Sequence, residues 1–409
     1  MRPSVTHGRA AATKTDRERF PGVGYTQGMV VWWLALALLA DDIPGARRIV
    51  ETAIAGNAAM LSGDDALDAA ARCLLAASID HGRLASAAIR HCAQKEGVAD
   101  NVLLPALVMH RGARGLIDGA GQFLRGEVKK RGVTHYGSAI GIADGWAHLV
   151  ILTTIRRGTL RVESDQDDPI QATLPLVPGA NVMFSGTLAL DYDHPHALLS
   201  TPNGDVVHVP LSMLTPDGRT FAGAVRLPQQ IGKCQLEIVA HSPTGPVVIA
   251  NRALFVGRAP PEYPVPPMKS SDALDDPAQR MLSLINLTRA AHGLLPVALD
   301  PDLSAVAELH ASAMQRASMF TTYFGHDAPD RTTTLPMRLW AAKIRYSEAA
   351  ENLAESATVE DAHDTLLSSP GHRESILNPR FMQVGIGFVK QRLSTGDESI
   401  VVVVDFVRD

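Results

Sequence analysis

The stretch SSPGHRESILNPRFMQVGIGF, residues 368–388, contains the features that decide how the last part of the chain folds. It predicts a helix that ends at Ser369-Pro370-Gly371, because proline and glycine both terminate helices. His372 follows directly, on the predicted turn. An Asn-Pro break then leads into VGIGF, a strand with two glycines. A histidine at such a corner raises the question of what its imidazole faces.

Length and composition indicate a folded protein of several domains. The chain has 409 residues, enough for two to four domains at about 100–200 residues each. Apolar residues make up 46% and charged residues 20%, as in ordinary globular proteins. The net charge of −5 provides no basic surface for nucleic acid or an anionic membrane. We therefore expect no nucleic-acid partner.

The three cysteines are Cys73, Cys92 and Cys234. They cannot all pair with one another, and none lies in a C-x-x-C motif. This pattern excludes a disulfide-stapled scaffold and a cysteine zinc site. Cys234 lies in a strand pattern and is predicted to be a small core residue.

The N-terminus allows two interpretations. Residues 1–28 are interpreted as a leader or a disordered segment, and residues 29–40, MVVWWLALALLA, form a 12-residue apolar run. The run is too short for an integral membrane span but suits the core of a signal peptide. The long leader with Asp16 and Glu18 argues instead for a buried first helix. The two alternatives leave open whether the chain is exported.

Changes in pattern divide the chain into an α+β arrangement of several domains. Residues 29–160 combine helical periodicity with a β-hairpin signal at Asp144-Gly145. Residues 165–257 contain short strands between regular turns, which predicts an immunoglobulin-like β-sandwich. Residues 258–270, RAPPEYPVPPMKS, hold five prolines and are predicted to form an extended linker. The last domain covers residues 271–409.

Six motifs follow one another along the last domain: LINLTRAAHGLLPVALDPDLSAVAELHASAM, FGHDAPD, ENLAESAT, SPGHRESILNPRF, VGIGF and VVVDF. In this order they resemble the CAP superfamily (cysteine-rich secretory, antigen 5 and pathogenesis-related-1 proteins, or SCP-like), in its bacterial branch. Each motif alone is a weak signal, whereas the ordered set is specific. The resemblance implies an α-β-α sandwich with a cleft on one face.

The cleft of this family usually holds two histidines and two acids. At the matching positions the histidines are His326 and His372, and the first acid is Glu351. Ser369 is the best match for the second acid, so one carboxylate is expected to be missing. The residues predicted to belong to the cleft are His326, Glu351, Asn352, Ser369, His372 and Arg373.

These side chains support more than one chemistry. Zinc could bind to His326 and His372, with Glu351 and a water completing the site. Alternatively, Glu351 and His372 are the catalytic candidates for acid–base work on a water. The structural alternative is that the histidines bond backbone groups while Glu351 ties its loop to a helix N-terminus. Asn352 is expected to hold its loop.

Other residues near these motifs are expected to be structural. Arg373 is predicted to pair with Glu374 or another acid, or else to bind an anionic group. His310 lies on an apolar helix stripe and is predicted to be a hydrogen-bonded core histidine. His363 is predicted to be solvated, and His292 to interact with the C-terminus of its helix.

The N-terminal unit echoes the last domain. VTHYGSAIGIADGWAHLVILTTIRR, residues 133–157, and the C-terminal stretch from VGIGF onwards both place a glycine-containing strand before an apolar strand. We therefore interpret the first domain as a degenerate, truncated CAP-like unit without the site. The alternative is a chance similarity.

Three functions are consistent with these features. The favoured one is a secreted or envelope protein whose cleft binds a lipid, peptide, glycan or other envelope ligand, or another protein. The second is a metal-assisted hydrolase or peptidase that uses His326, His372 and Glu351, and the missing acid counts against it. The third is an interaction scaffold with a vestigial cleft.

Overall fold

The computed structural model describes residues 43–55, 61–81, 84, 86–164, 172–264, 267–269, 275–318, 324–327, 333–392 and 398–408. The predictions for the leader and for the apolar run at 29–40 lie outside these residues. The described chain contains two mixed α/β units with a β-sandwich between them. None of its helices is both long enough and apolar enough to cross a bilayer.

The N-terminal unit is a four-stranded sheet with helices on both faces. Its helices are α1 (Ile43–Ile54), α2 (Asp65–His81), α3 (Ser86–Lys95) and α4 (Ala113–Arg131). Its strands are β1 (Ser62–Gly63), β2 (Leu103–His110), β3 (His135–Ala143) and β4 (Trp146–Thr154), in the order β1-β3-β4-β2. The predicted hairpin joins β3 to β4, and Asp144 and Gly145 both have positive φ, as a two-residue turn requires.

A disulfide in this unit joins Cys73 of α2 to Cys92 of α3, whose Cα atoms are 5.5 Å apart. The sequence interpretation did not identify this bond, because the cysteines meet only when the two helices pack together. Cys234 is buried and free, which agrees with its predicted place in a core.

The central unit is a sandwich of two four-stranded antiparallel sheets. Its strands are β5 (Gly158–Ser164), β6 (Asn181–Leu188), β7 (Asp193–Ser200), β8 (Val206–Val209), β9 (Leu211–Met213), β10 (Thr220–Arg226), β11 (Gly232–Ser242) and β12 (Gly245–Val256). The sheet orders are β5-β6-β10-β9 and β12-β11-β7-β8. Alternate side chains of both sheets form one core, in which Phe184 and Phe221 meet Leu236 and Ile238.

The C-terminal unit again places helices on both faces of a four-stranded sheet. Its helices are α5 (Pro277–Ala291), α6 (Pro301–Ser318), α7 (Leu335–Ala341), α8 (Val359–Leu367) and α9 (Pro370–Leu377). Its strands are β13 (Ala298–Leu299), β14 (Glu348–Ser356), β15 (Gln383–Arg392) and β16 (Glu398–Arg408), in the order β13-β15-β16-β14. Helices α5 and α8 cover one face and α6 the other, which is the layering that the resemblance implied.

The two glycines of VGIGF let α6 lie close to the sheet. A Cβ atom built on Gly387 would lie 2.3 Å from the backbone of Ala307. We expect Gly387→Ala to destabilise the C-terminal unit by about 3 kcal/mol, because neither backbone can move apart without unpacking the helix. Thermal unfolding would measure this change. The matched control is Gly126→Ala on α4, where the added methyl meets nothing within 4 Å, and equal effects of the two substitutions would contradict the explanation.

A helix ends close to Ser369, as predicted, but the turn predicted at Pro370-Gly371 is wrong. Helix α8 already ends at Leu367, and Pro370 begins α9. Proline suits the first position of a helix because the N–H that it lacks has no helical partner there. His372 therefore lies in the first turn of a second helix, not on a loop corner.

Candidate functional site

Glu351 is the centre of the predicted cleft and lies on the edge strand β14 with its side chain only 3% exposed. Its Oε1 accepts a hydrogen bond from His326 Nδ1 at 2.9 Å, and its Oε2 accepts one from the guanidinium of Arg338. Burial alone would raise the pKa of Glu351, but the contacts with His326 and Arg338 hold it below its ordinary value. Glu351 is therefore an ionised carboxylate with both oxygens engaged.

This contact orients the imidazole of His326. When Nδ1 donates to Glu351, the neutral ring leaves Nε2 as a hydrogen-bond acceptor. Arg338 also donates to the backbone carbonyl of His326, at 3.0 Å, and so fixes the loop together with the carboxylate. The His326 side chain is 20% exposed, so the ring is accessible to a small group.

His372 reaches the cleft from the first turn of α9. Its carbonyl accepts a hydrogen bond from Asn352 Nδ2 at 2.9 Å, so Asn352 holds α9 against β14, in line with its predicted holding role. Burial, together with the nearby His326, lowers the pKa of His372 to about 3, and the ring is therefore neutral. Two buried atoms, His372 Nδ1 and Asn352 Oδ1, have no hydrogen-bond partner in the described part of the chain.

The arrangement does not fit a resident zinc ion. A catalytic zinc site uses three protein ligands and one open position. Both oxygens of Glu351 are already engaged, one of them by the cation of Arg338. Among the residues that the structure describes, no group of three or more His, Cys, Asp or Glu side chains is placed to hold a metal. His326 and His372, the predicted zinc ligands, therefore have no third protein ligand among the described residues.

The other two predicted cleft residues, Ser369 and Arg373, lie at the start of α9, where this helix meets the sandwich. Ser369 is 5% exposed, and the neighbouring carbonyl of Ser368 accepts hydrogen bonds from β11 and β12. Arg373 donates to the carbonyl of Leu367 at 3.4 Å rather than pairing with Glu374. The predicted pairing of Arg373 with Glu374 is therefore wrong, and the acid whose charge acts on Arg373 is Asp205.

Of three further histidines, His310 and His292 lie as predicted and His363 does not. His310 is a buried core histidine as predicted, and its Nε2 donates to the Gly325 carbonyl at 3.1 Å. His292 bonds the Thr288 carbonyl at the end of its helix, as expected. The prediction for His363 is wrong, because the ring is fully buried and lies 3.1 Å from the Thr288 hydroxyl.

Sequence reasoning missed Asp405. It lies directly opposite Glu351 in the pairing of β14 with β16, and it is fully buried. Burial raises the pKa of Asp405, and the charge of Glu351 raises it further. A signal was present, because an aspartate inside the apolar run VVVVDFV is unusual unless it has a specific partner. The site thus contains a second carboxyl group, supplied by a strand rather than by the end of α8.

The sequence model of the cysteine-rich secretory protein family, CAP, matches residues 282–406. Residues 282–406 form a CAP domain.

Two curated proteins are similar to part of the chain. The uncharacterized protein YkwD of Bacillus subtilis (strain 168) is 32% identical over 113 residues, which cover 27% of this chain and 42% of YkwD. The uncharacterized membrane protein YlbC of the same strain is 29% identical over 110 residues, which cover 27% of this chain and 30% of YlbC. The chain therefore matches less than half the length of either relative.

Solved structures that resemble the chain are more distant. An extracellular SCP-domain protein from Bacillus anthracis is 17% identical, with a TM-score of 0.29 over 56% of this chain and 82% of its own. An outer surface protein from Borrelia burgdorferi is 21% identical, with a TM-score of 0.28 over 35% of this chain and 100% of its own.

The β-sandwich contacts two segments of the CAP domain, the start of α9 and the loop of His326. At the first contact, Glu237 of β11 accepts a hydrogen bond from the Gly371 N–H, at the start of α9, at 3.0 Å. At the second contact, the Thr244 carbonyl accepts one from the Asp327 N–H at 3.0 Å. Strand β11 contacts the helix of His372, and the turn that follows β11 contacts the loop of His326. A groove of about 470 Å³ opens beside the second contact, lined by Asp191, Asp193, His194, His241, Asp327 and Thr334 among others.

The contact between Glu237 and α9 is expected to depend on pH. Burial outweighs the hydrogen bonds from Gly371 and Asn251 and raises the pKa of Glu237 from 4.5 to about 7. A raised pKa means that the docked state binds the proton more tightly than a separated state, so docking weakens as pH rises through about 7. Amide hydrogen exchange in α9, corrected for intrinsic rates, should therefore become faster relative to β16 between pH 5 and pH 8. Glu237→Gln should abolish that trend, and an unchanged trend in this variant would contradict the assignment.

Proposed function

We propose that this is a CAP-domain protein of the bacterial envelope or exterior that binds a polar envelope ligand, a peptide or a glycan, between His326 and His372. The observation that carries the proposal is the oriented imidazole of His326, which donates from Nδ1 to Glu351 and belongs to a side chain that is 20% exposed. Its Nε2 would accept a hydrogen bond from a polar ligand. The neutral ring of His372, which lies near His326, would provide a second polar contact.

The groove at the domain junction supports an extended ligand. It continues from the His326 loop along the ends of β11 and β12, and its wall is rich in aspartate and histidine. A peptide or glycan chain offers repeated hydrogen-bonding groups to such a wall. The sandwich would then be part of the binding site rather than only a spacer.

The hydrolase alternative has less support. Glu351 is 3% exposed, and both of its oxygens are engaged, so it is poorly placed to take a proton from an attacking water. The scaffold alternative does not account for the oriented imidazole of His326.

A lipid is the second candidate ligand, because α7 exposes two large apolar side chains. Met337 and Trp340 are three residues apart on this helix and therefore share a face, and their exposed fractions are 49% and 79%. The same helix supplies Arg338 to the site. An acyl chain could lie on this face while the headgroup enters the cleft.

Calorimetric titration of the full chain would test the proposal. The probes are an N-acetylglucosamine tetramer, an acetylated tetrapeptide amide and phosphatidylglycerol vesicles. We expect one of the first two to bind, and Asn352→Ala combined with His372→Ala to abolish binding, while His110→Ala on the exposed end of β2 has no effect. Binding of vesicles that Trp340→Ala abolishes would favour the lipid instead. Binding that survives the double substitution would place the ligand elsewhere.

We infer that the first unit is a degenerate CAP-like copy. Its strand order β1-β3-β4-β2 matches the order β13-β15-β16-β14, and in both units the short first strand runs parallel to its neighbour. The order of the sandwich supports an immunoglobulin-like assignment. Lettered A to G with an extra C′, its sheets have the orders A-B-E-D and G-F-C-C′.

We infer that the protein is exported. The Cys73–Cys92 disulfide suits an oxidising compartment. The structures from Bacillus anthracis and Borrelia burgdorferi are described as an extracellular and an outer surface protein. A fractionation experiment that finds the chain, with this disulfide formed, outside the cytoplasm would support export.

A further inference from the structure

Glu351 and Asp405 form a buried carboxyl pair. They are directly opposite each other on β14 and β16, with the Glu351 side chain 3% exposed and Asp405 fully buried. Their neighbours Leu353 and Val403 pack under α6, and side chains two residues apart on a strand share a face. Both carboxyl groups therefore lie on the face covered by α6, where directly opposite Cβ atoms are about 4.5–5.5 Å apart.

Among the described residues, the groups that face this pair provide one permanent positive charge. Arg338 of α7 bonds Glu351. His310 of α6 lies with its Nε2 3.8 Å from Glu351 Oε1, but that nitrogen donates to a backbone carbonyl. On the remaining side, the partner of Asp405 on β15 is Gly385, which has no side chain. Two adjacent buried carboxylates cannot both stay ionised beside a single cation.

The hydrogen bonds decide which group carries the proton. Glu351 accepts from His326 and from Arg338, and both contacts favour its ionised form. Within the described residues, neither oxygen of Asp405 has a hydrogen-bond donor. An ionised Asp405 would therefore be a buried charge without compensation, whereas a protonated Asp405 has an acceptor directly opposite.

We propose that Asp405 is a neutral carboxylic acid that donates its proton in a hydrogen bond to Glu351, and that it thereby acts as a positioning residue for His326. The chain of contacts runs from Asp405 through Glu351 to His326 Nδ1 and leaves Nε2 for a ligand. A neutral donor restricts the rotation of Glu351 without adding charge to the site. Asp405 itself is fully buried, so it does not touch a ligand. The proposal goes beyond the ligand-binding function, and its test uses no ligand, so either can fail without the other.

The protonation state can be measured directly in the full chain. With ¹³C-labelled aspartate side chains, the Asp405 carboxyl signal is identified by its loss in Asp405→Asn. We expect this signal, and the infrared carbonyl band, to be those of a protonated acid at pH 7. A carboxylate signal at pH 7 would overturn the proposal, and because it is measured on the unaltered chain, no variant needs to fold for this result.

The positioning role is tested by the ring N–H proton of His326 in NMR spectra. Asp405→Asn should preserve this signal, because an amide N–H can replace the acid O–H as donor to Glu351. Asp405→Ala should lose it through exchange with water, while the signal of His363, which is buried on the opposite face of the sheet, serves as the internal control for folding. If His326 keeps the signal in both variants, the positioning role is wrong. If it loses the signal in Asp405→Asn while His363 keeps its own, the donor role is wrong.

Discussion

Replacing Arg338 with alanine is expected to destabilise the CAP domain by about 3–5 kcal/mol, the usual effect of leaving a buried charge without its partner. Arg338 bonds the ionised Glu351 and also the carbonyl of His326. Without the guanidinium, a carboxylate that is 3% exposed would remain beside the buried Asp405. Amide hydrogen exchange in β14 of the full chain would report the change, because it measures local opening in a multidomain protein.

The double variant Arg338→Ala, Glu351→Gln is the control for this explanation. Removing the charge of Glu351 should restore most of the stability, because no unpaired carboxylate remains. Equal protection of β14 in Arg338→Ala and in the unaltered protein would contradict the assignment of Glu351 as ionised. Failure of the double variant to recover would indicate that Arg338 acts mainly by packing.

The second large effect is expected at Arg289, which is fully buried on α5. Its guanidinium donates to the carbonyl of Leu295 and to three carbonyls at the end of α9 and in the segment after it: Ile376, Asn378 and Phe381, at 2.8, 2.9 and 3.2 Å. Arg289→Ala would leave these carbonyls without their donor, at a cost of about 1–3 kcal/mol for each one that stays buried. We expect protection of α9 to fall by more than about 3 kcal/mol in total.

Two substitutions separate this effect from a loss of surface charge. Arg289→Lys should recover little, because an ammonium cannot reproduce the planar fork of donors. Arg380→Ala removes an arginine that is 56% exposed and paired with Glu348, and it should change stability by less than about 1 kcal/mol. Similar losses in Arg289→Ala and Arg380→Ala would contradict the role assigned to Arg289.

The ordered motifs predicted the CAP domain and much of the C-terminal fold, and they indicated His326, Glu351 and His372 as site candidates. The structure brings Glu351 and His326 into contact and places His372 on the adjoining helix. The turn predicted at Pro370 was wrong, because proline is common at the start of a helix as well as after its end. Only the cap geometry distinguishes the two cases. The prediction that His363 is solvated was also wrong. His363 is three residues before Leu366 and four after Val359, and these spacings place it on their buried face of the helix.

Asp405 and Arg338 could not be assigned from spacing alone. Asp405 meets Glu351 only through the register of β14 with β16, and the two residues are far apart in the sequence. Arg338 reaches the same carboxylate from α7, a short helix that was not among the motifs. The contact of Glu237 with α9 likewise depends on how two domains pack. Such contacts are set by tertiary structure, which local periodicity does not encode.

Because the sandwich contacts both the start of α9 and the His326 loop, the choice between the full chain and the isolated CAP domain matters for ligand experiments. The isolated CAP domain would lack Glu237 and Thr244, which contact the start of α9 and the His326 loop. Ligand experiments should therefore use the full chain. An isolated domain that binds the same probe with the same affinity would show that the sandwich contributes nothing to the site.

The proposed ligand site lies at polar side chains of the CAP domain, around His326, His372 and Asn352. The most direct test is NMR of the full chain with ¹⁵N-labelled histidine and asparagine side chains, before and after addition of the polar probe that binds in calorimetry. We expect the His372 ring and the Asn352 amide to shift with the same saturation curve, while the His110 ring does not move. Saturable binding with unchanged His372 and Asn352 signals would contradict the proposed site.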